Sequence, residues 1–417
     1  VIGHNKNFLS CLEGAKMNIY ESLGVKTLIN CQGEVTRLGG ALMEQETIDA
    51  MAEAARYSVR MDELQAAASK IIARVTGAEA GYVTSGASAA LTLATAACLA
   101  GLDVGRMNRL PDTSDMPNEV LMDQRQRQGY DHAIRLAGAK IVNVGMPNFR
   151  ILGDEAYTTK WWEFESAITE RTAAIAYFQV PDHNPPMEEI VRLSRKYKIP
   201  LIVDAAEQVP PMENLRRFIE MGATLVAYSG GKGIRGPQNS GILCGKKEMI
   251  ASVALQNLDM GLTNFEAWEI SPDLIPKEKL RGIPQQGLGR GMKASKESII
   301  GLLVALQRME SRSSTSMEQL SRNIQPIGEM VKGIPGVETE IRALFPGSHP
   351  MLMVKLDEAK VGKSAVEIVR KLKEGEPSIY VTDMLAPFGM IFISAVNMIY
   401  KEQVKIVGQR LLTALKN

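Results

Sequence analysis

The sequence predicts an α/β protein: a mostly parallel central sheet with helices on both faces, and a smaller C-terminal α/β domain. Three observations predict it. From Gly81 to Cys244 short apolar runs alternate with helical periods, as in sheets whose strands are buried on both faces. Within that stretch Ala174–Phe178, Met187–Lys198 and Leu201–Val203 make a βαβ unit of ordinary length, with a right-handed crossover expected. After Ser240 the pattern changes. A Pro- and Gly-rich segment, Thr263–Arg290, crosses to a helix and to further strand and helix pieces.

Composition bounds the rest. The chain has 417 residues, more than one hydrophobic core usually serves. The expected division is an N-terminal arm (1–60), a large domain (61–262), and a crossing segment, long helix and small domain (263–417). The 48 basic and 47 acidic side chains nearly cancel, which argues against nucleic-acid binding through bulk positive charge. Cys11, Cys31, Cys98 and Cys244 stand far apart, so neither a zinc site nor a disulfide framework is expected, and a reducing cytoplasm is. Val1–Asn7 lacks the apolar region of a secretory leader. The uncharged run Gly86–Leu102 depends on Ala, Ser, Thr and Gly, too weak a hydropathy for insertion. A buried helix is expected there, and no membrane partner.

The elements follow in order. Asn7–Gly24 has the pattern of a short amphipathic helix, and Thr27–Asn30 of an extended segment. Glu44–Val75 carries one or two helices, stopped at Gly77. Strand Gly81–Thr84 leads to a helix from Ala87, strand Glu119–Met122 to a helix near His132–Ala137, and strand Ala139–Val144 to a helix at Trp161–Ile168. Beyond the βαβ unit come helix Asn214–Met221, strand Thr224–Tyr228 and a returning strand Ser240–Cys244. One long helix is expected over Ala294–Lys332. The small domain has strands at Met351–Val354 and Met390–Ile393, and helices at Lys363–Leu372 and Lys401–Leu415.

In open sheets ligands bind beyond the carboxyl ends of the strands, where Thr84-Ser85, Asp204 and Ser229–Lys232 all fall. Ser85-Gly86-Ala87-Ser88 opens a helix; small residues there let backbone N–H groups reach an anion, aided by the helix dipole. Alone, that pattern is more often a cap. Asp204 closes Leu201-Ile202-Val203, and Lys232 lies 28 residues later in Ser229-Gly230-Gly231-Lys232-Gly233. Each alone reads as a loop acid or a solvated lysine. Together they suit pyridoxal 5'-phosphate (PLP): the amine forms a Schiff base with the aldehyde, and the acid keeps the pyridine nitrogen protonated. Rival motifs fail. Gly233 follows the lysine where a P-loop needs Ser or Thr, Gly287–Met292 lacks the third glycine of a dinucleotide fingerprint, and no metal-binding H-E-x-x-H occurs.

At Asn30–Gly40, Gly77–Leu91, Tyr130–Gly145, Leu201–Pro211 and Ser229–Gly245 the chain resembles the selenocysteine-synthase-like branch of fold-type I PLP enzymes. Within that branch it resembles D-glucosaminate-6-phosphate ammonia-lyase-like members. Gly236-Pro237-Gln238 after the lysine is the most specific part of the likeness. The resemblance implies Lys232 as the lysine that holds the cofactor and Asp204 as the partner of the ring nitrogen. It implies Ser85, Gly86, Ala87 and Ser229 around the phosphate, and Glu207 or Gln208 beside the phenolic oxygen. Gln126 stands where relatives carry a histidine or aromatic over the ring, with Tyr130 and His132 as substitutes. A homodimer or larger assembly, with the site at a subunit interface, is also implied.

Substrate carboxylate or phosphate groups call for arginine donors. Candidates are Arg37 and Arg290 in glycine-rich turns, and Arg127; His183 follows a strand end on the same sheet edge. The expected function is a PLP-dependent enzyme acting at Cα of a small amino acid or amino sugar acid. The resemblance implies α,β-elimination that releases ammonia and a 2-keto acid. Racemisation and transamination share its first step. Selenium transfer to seryl-tRNA is disfavoured by the charge balance, and an inert PLP-binding protein by the intact Lys232 and Asp204.

Overall fold

The computed structural model describes residues 18–146, 159–179, 185–261, 264–311, 315–344, 349–398 and 400–416. Its strands, in chain order, are β1 (Leu28–Cys31), β2 (Ala80–Thr84), β3 (Glu119–Asp123), β4 (Lys140–Val144), β5 (Thr172–Phe178), β6 (Leu201–Asp204), β7 (Leu225–Ser229), β8 (Gly241–Gly245), β9 (Val337–Ala343), β10 (Pro350–Leu356), β11 (Ser378–Val381) and β12 (Met390–Ser394). The chain divides into two compact units: Gly39–Ser314 with Phe345–Ser348, and Val1–Leu38 with Thr315–Leu344 and His349–Asn417.

The larger unit holds a seven-stranded sheet in the order β2-β8-β7-β6-β5-β3-β4. β8 runs antiparallel to both neighbours; β3, β4, β5, β6 and β7 are parallel. Uninterrupted apolar runs such as Leu201-Ile202-Val203 make the strands buried on both sides. One face is covered by helix Ala87–Ala100, whose small residues are buried almost all round, with helix Lys247–Asn257. The other is covered by helices Met61–Thr76, Met187–Tyr197, Asn214–Met221 and Lys296–Ser311. Helix Met187–Tyr197 shows why such segments form: Glu188 and Glu189 sit in its first turn and Arg195 and Lys196 in its last, each complementing the macrodipole. Gly77 ends helix Met61–Thr76 in the left-handed region, at φ +71°.

β2 is an outer strand, and its free edge is closed by side chains. Gln65 Nε2 donates to Val83 O (2.9 Å), its Oε1 accepts from Val83 N–H (3.0 Å), and Ser69 Oγ accepts from Gly81 N–H (3.0 Å). A buried amide thus replaces the missing neighbour strand.

The contact division differs from the expected one. Residues 263–314 belong to the larger unit because Trp268, Leu274, Ile275 and Leu280 of the crossing segment are buried in its core. Helix Gln45–Ala54, expected in the arm, lies against helix Lys296–Ser311, where a Cβ at Gly301 would fall 2.7 Å from Met51 Sδ. The single helix expected over 294–332 is corrected to two, Lys296–Ser311 and Thr315–Val331, one in each unit. Of the amphipathic helix expected at 7–24, residues up to 17 lie outside the described range; Ile19–Ser22 is helical, capped by Asn18.

The smaller unit contains an antiparallel sheet in the order β12-β10-β9 and a parallel pair β1-β11. Helices Thr315–Val331, Ala365–Glu374 and Lys401–Lys416 enclose its core around Ile324, Leu352, Ile368 and Leu411. Among the described residues no helix is long and apolar enough to cross a membrane.

Replacing Gln65 with Met keeps its bulk and removes both bonds to Val83. The variant is expected to lose about 2–4 kcal/mol, seen as a lower thermal midpoint; an unchanged midpoint would refute edge closure.

Candidate active site

Parallel pairing aligns the strand ends on which the site is built. Asp204 closes β6 and is in register with Phe178 of β5 and Ala227 of β7. Its side chain is buried, with the residue 8% exposed, and Oδ1 accepts from Ala206 N–H at 3.0 Å. Burial pushes this carboxyl up to about 6, against the pull of the Ala206 N–H and of Lys232, while Glu207 adds a like charge.

Lys232 follows β7 on a loop that closes on itself: Gly230 N–H donates to Ser240 O, Gly236 N–H to Gly230 O, and Arg235 N–H to Lys232 O, at 2.7–2.8 Å. Arg235 adopts φ +63°, a strained conformation for a non-glycine residue. The glycines allow close packing. A Cβ at Gly231 would lie 2.6 Å from Gln238 Cα, and one at Gly233 would lie 2.7 Å from the carbonyl carbon of Val209. Ala41 N–H donates to Gly231 O at 3.1 Å, so the strip after Gly40 lies along this loop. The Lys232 amine meets Glu207 Oε1 at 2.6 Å; the lysine side chain is 18% exposed and the glutamate 77%.

The third part is the turn from β2 into helix Ala87–Ala100. Gly86, at φ +118°, precedes a helix with no side-chain cap and no acid in its first turn, which leaves its positive end available to an anion. Gly241 of β8 pairs with Thr84 on one side and Ser229 on the other. It has to be glycine: a Cβ there would fall 2.6 Å from Gly86 C and 2.9 Å from Ala87 N. Ser85 Oγ donates to Met292 O at 2.8 Å. Asn257 holds that strip in place, donating to Gly289 O (2.8 Å) and Met292 O (3.2 Å) while accepting from the Tyr82 hydroxyl (3.0 Å). Sequence reasoning missed Asn257 and Tyr82, since a bond between residues 175 positions apart leaves no local pattern.

The donor set fits PLP. A helix start suits the phosphate, an amine reaches the aldehyde, and a desolvated carboxylate suits a protonated ring nitrogen. Among the described residues no cluster of His, Cys, Asp or Glu could hold a metal ion.

The remaining candidates are tied down to different degrees. Gln126 is fully buried and its Oε1 accepts from Phe178 N–H at 3.0 Å, which fastens it to the end of β5. Tyr130 and His132 are exposed. Gln208 is half-buried, and its carbonyl accepts from Asn214 Nδ2 at 2.7 Å. Arg127 is engaged by buried Asp131 and by Asn143, both at 2.5 Å. Arg290 pairs with Asp259 at 3.1 Å. Arg37 lies in the smaller unit and donates to Gln32 Oε1 at 2.5 Å. His183 lies outside the described residues.

The raised carboxyl at Asp204 sets a pH dependence. An acid that binds its proton more tightly when folded costs the folded chain stability as pH rises from about 4, the unfolded value, through about 6. Asp204→Asn removes that cost. The cofactor-free variant is expected to gain on the order of 3 kcal/mol at pH 8 and nothing below pH 4, read from thermal midpoints; a loss at both would contradict the burial argument.

The model of the DegT/DnrJ/EryC1/StrS aminotransferase family matches residues 43–261. A 5'-C-glycyluridine monooxygenase-decarboxylase from Streptomyces sp is 31% identical over 385 residues, covering 89% of this chain and 86% of that protein. D-glucosaminate-6-phosphate ammonia lyase from Salmonella typhimurium is 32% identical over 372 residues, 87% of this chain and 89% of that protein. A solved D-glucosaminate-6-phosphate ammonia-lyase structure superposes with a TM-score of 0.79 at 29% identity, covering 96% of this chain and 99% of that one. The resemblance read from the Lys232 and Asp204 segments therefore holds along the chain, and with it the cofactor. The protein belongs to the DegT/DnrJ/EryC1/StrS aminotransferase family and is a fold-type I enzyme dependent on pyridoxal 5'-phosphate.

Proposed function

We propose that the chain catalyses α,β-elimination on a small amino acid or amino sugar acid, releasing ammonia and a 2-keto acid. The observation that carries this reading is the amine of Lys232, paired with one solvent-facing acid and acting on the charge of a buried one that closes the strand next to β7. The likeness to an ammonia lyase in both sequence and structure supports it.

When bound, PLP supplies the electron sink for the pair left at Cα. Lys232 Nζ would hold its aldehyde and, as a free amine, would take the Cα proton. Asp204 would hold a negative charge at the ring nitrogen. Ser85, Gly86 and Ala87 with Ser229 would hold the phosphate, and Glu207 or Gln208 would border the phenolic oxygen. Gln126, held by Phe178 N–H, would stand where relatives have a histidine over the ring. Arg127 and Arg290 retain unused guanidinium N–H donors for the substrate's anionic groups; the roles of Arg37 and His183 rest on the resemblance. We also propose a homodimer or larger homo-oligomer with the site at a subunit interface. A cytoplasmic location is in keeping with the free Cys31, Cys98 and Cys244.

A second reading, oxidative decarboxylation at Cα, is favoured by the likeness to the monooxygenase-decarboxylase. Screening amino acids and phosphorylated amino sugar acids separates the two. Elimination gives ammonia and 2-keto acid with no oxygen uptake; the second reading gives carbon dioxide with oxygen consumed. Lys232→Ala is expected to abolish the cofactor adduct fixed by borohydride, located by peptide mass spectrometry, and nearly all turnover. An adduct at another lysine would overturn the assignment.

A further inference from the structure

A phosphate at the start of helix Ala87–Ala100 would meet main-chain N–H groups that lack intrahelical acceptors, with no side-chain cap in the way. Hydroxyls of the same turn are already engaged. Thr84, fully buried, donates within the turn, to Gly86 O at 2.9 Å. Ser85 donates to Met292 O at 2.8 Å. A hydroxyl carries one proton, so Ser85 can donate to an anion only by letting go of Met292. The fate of that carbonyl decides how costly the exchange is.

Met292 O has a second donor. Asn257, 4% exposed, reaches it through Nδ2 at 3.2 Å, the longer of that amide group's two bonds; the other goes to Gly289 O at 2.8 Å. The amide is kept facing this way because its Oδ1 accepts from the hydroxyl of fully buried Tyr82 at 3.0 Å. The strip is also fastened without Ser85. Gln256 Oε1 accepts from Leu288 N–H at 3.0 Å, and a Cβ at Gly287 would fall 2.4 Å from Gln256 Cα, so the strip lies tightly on the end of helix Lys247–Asn257. Met292 O therefore stays in place, with a partner, if Ser85 leaves it.

The geometry points to an exchange of partners. When phosphate occupies the helix start, the Ser85 hydroxyl turns from Met292 O to the anion, and Asn257 holds the carbonyl in its stead. The proton stays on Ser85 throughout; only its acceptor changes. Asn257 is thus a positioning residue for cofactor binding that acts through Ser85. This role rests on placing the cofactor's phosphate at this turn and deepens that reading.

The exchange makes the two side chains interdependent, because a carbonyl left bare away from water is destabilising. With Ser85 present, loss of Asn257 is masked in the free protein and felt once phosphate draws the hydroxyl away. Without the Ser85 hydroxyl, loss of Asn257 bares the carbonyl in free and bound protein alike, and cofactor affinity does not register it. The test titrates cofactor-free protein with pyridoxal 5'-phosphate and with pyridoxal, which has the same aldehyde and no phosphate, and reads the ratio of the two dissociation constants by equilibrium dialysis. Its variants are Ser85→Ala, Asn257→Leu made together with Tyr82→Phe so that no buried hydroxyl is left unpaired, and all three combined. Ser85→Ala and the Asn257 pair are each expected to reduce the preference for the phosphate form about tenfold, and the combination to reduce it no further than Ser85→Ala alone. Additive losses would make Asn257 an independent support of the fold and overturn the exchange, as would an Asn257 loss shared equally by both ligands. An unchanged ratio in Ser85→Ala would overturn it too, and that arm decides alone if thermal melting shows the Asn257 pair unfolded. Ser88→Asp tests the placement beneath the proposal: Ser88 is exposed, and an acid in the first helical turn opposes a bound phosphate. A ratio lowered severalfold by Ser88→Asp upholds the placement; an unchanged one would remove it, a failure distinct from that of the exchange.

Discussion

A carboxylate withdrawn from water at the end of β6 is the constraint around which the site is arranged. Leu201-Ile202-Val203 carries the chain through the sheet fully buried, and Asp204 arrives at its end with neighbouring strands on both sides. Charge there is expensive. The neighbouring lysine does not settle the cost, since its amine lies against Glu207 on the solvent side. Asp204 therefore keeps a raised hold on its proton.

The backbone supplies the remaining precision. Thr84, Gly241 and Ser229 lie side by side across three strands, so the helix start and the end of β7 are held at one level by ladder hydrogen bonds. Side chains on loops would drift more than this. The missing Cβ atoms at Gly231, Gly233 and Gly241 let the segments approach closely, and the Asn257 amide fixes the strip that receives the Ser85 hydroxyl. Ser85 directly follows β2 and Lys232 lies three residues past β7, so both are anchored by paired strand ends.

Much of this was legible in the sequence, for local physical reasons. Helix Asn214–Met221 was read to the residue, because its apolar stripe and the Gly222 stop are both written within ten positions. The strand ends at Thr84, Asp204 and Ser229 were placed correctly to within a residue, since buried parallel strands are unbroken apolar runs bounded by polar or glycine residues. What was not legible is what depends on distant partners. Nothing near Ser311 announces that the helix expected to continue is divided between two units. β9 was passed over because alternate residues, among them Glu338, Glu340 and Arg342, are polar and its other face is only half-buried. The engagement of Arg127 by Asp131 and Asn143 likewise appears only once the chain is folded.

The Gln65 amide against Val83 has a bearing on assembly. An outer strand with bare N–H and C=O groups is a template onto which another chain can add. Here that template is already occupied by a side chain of the same polypeptide, and Ser69 covers the next position. Strand addition at this margin of the seven-stranded sheet is therefore blocked, leaving β4 as its one uncapped outer strand among the described residues.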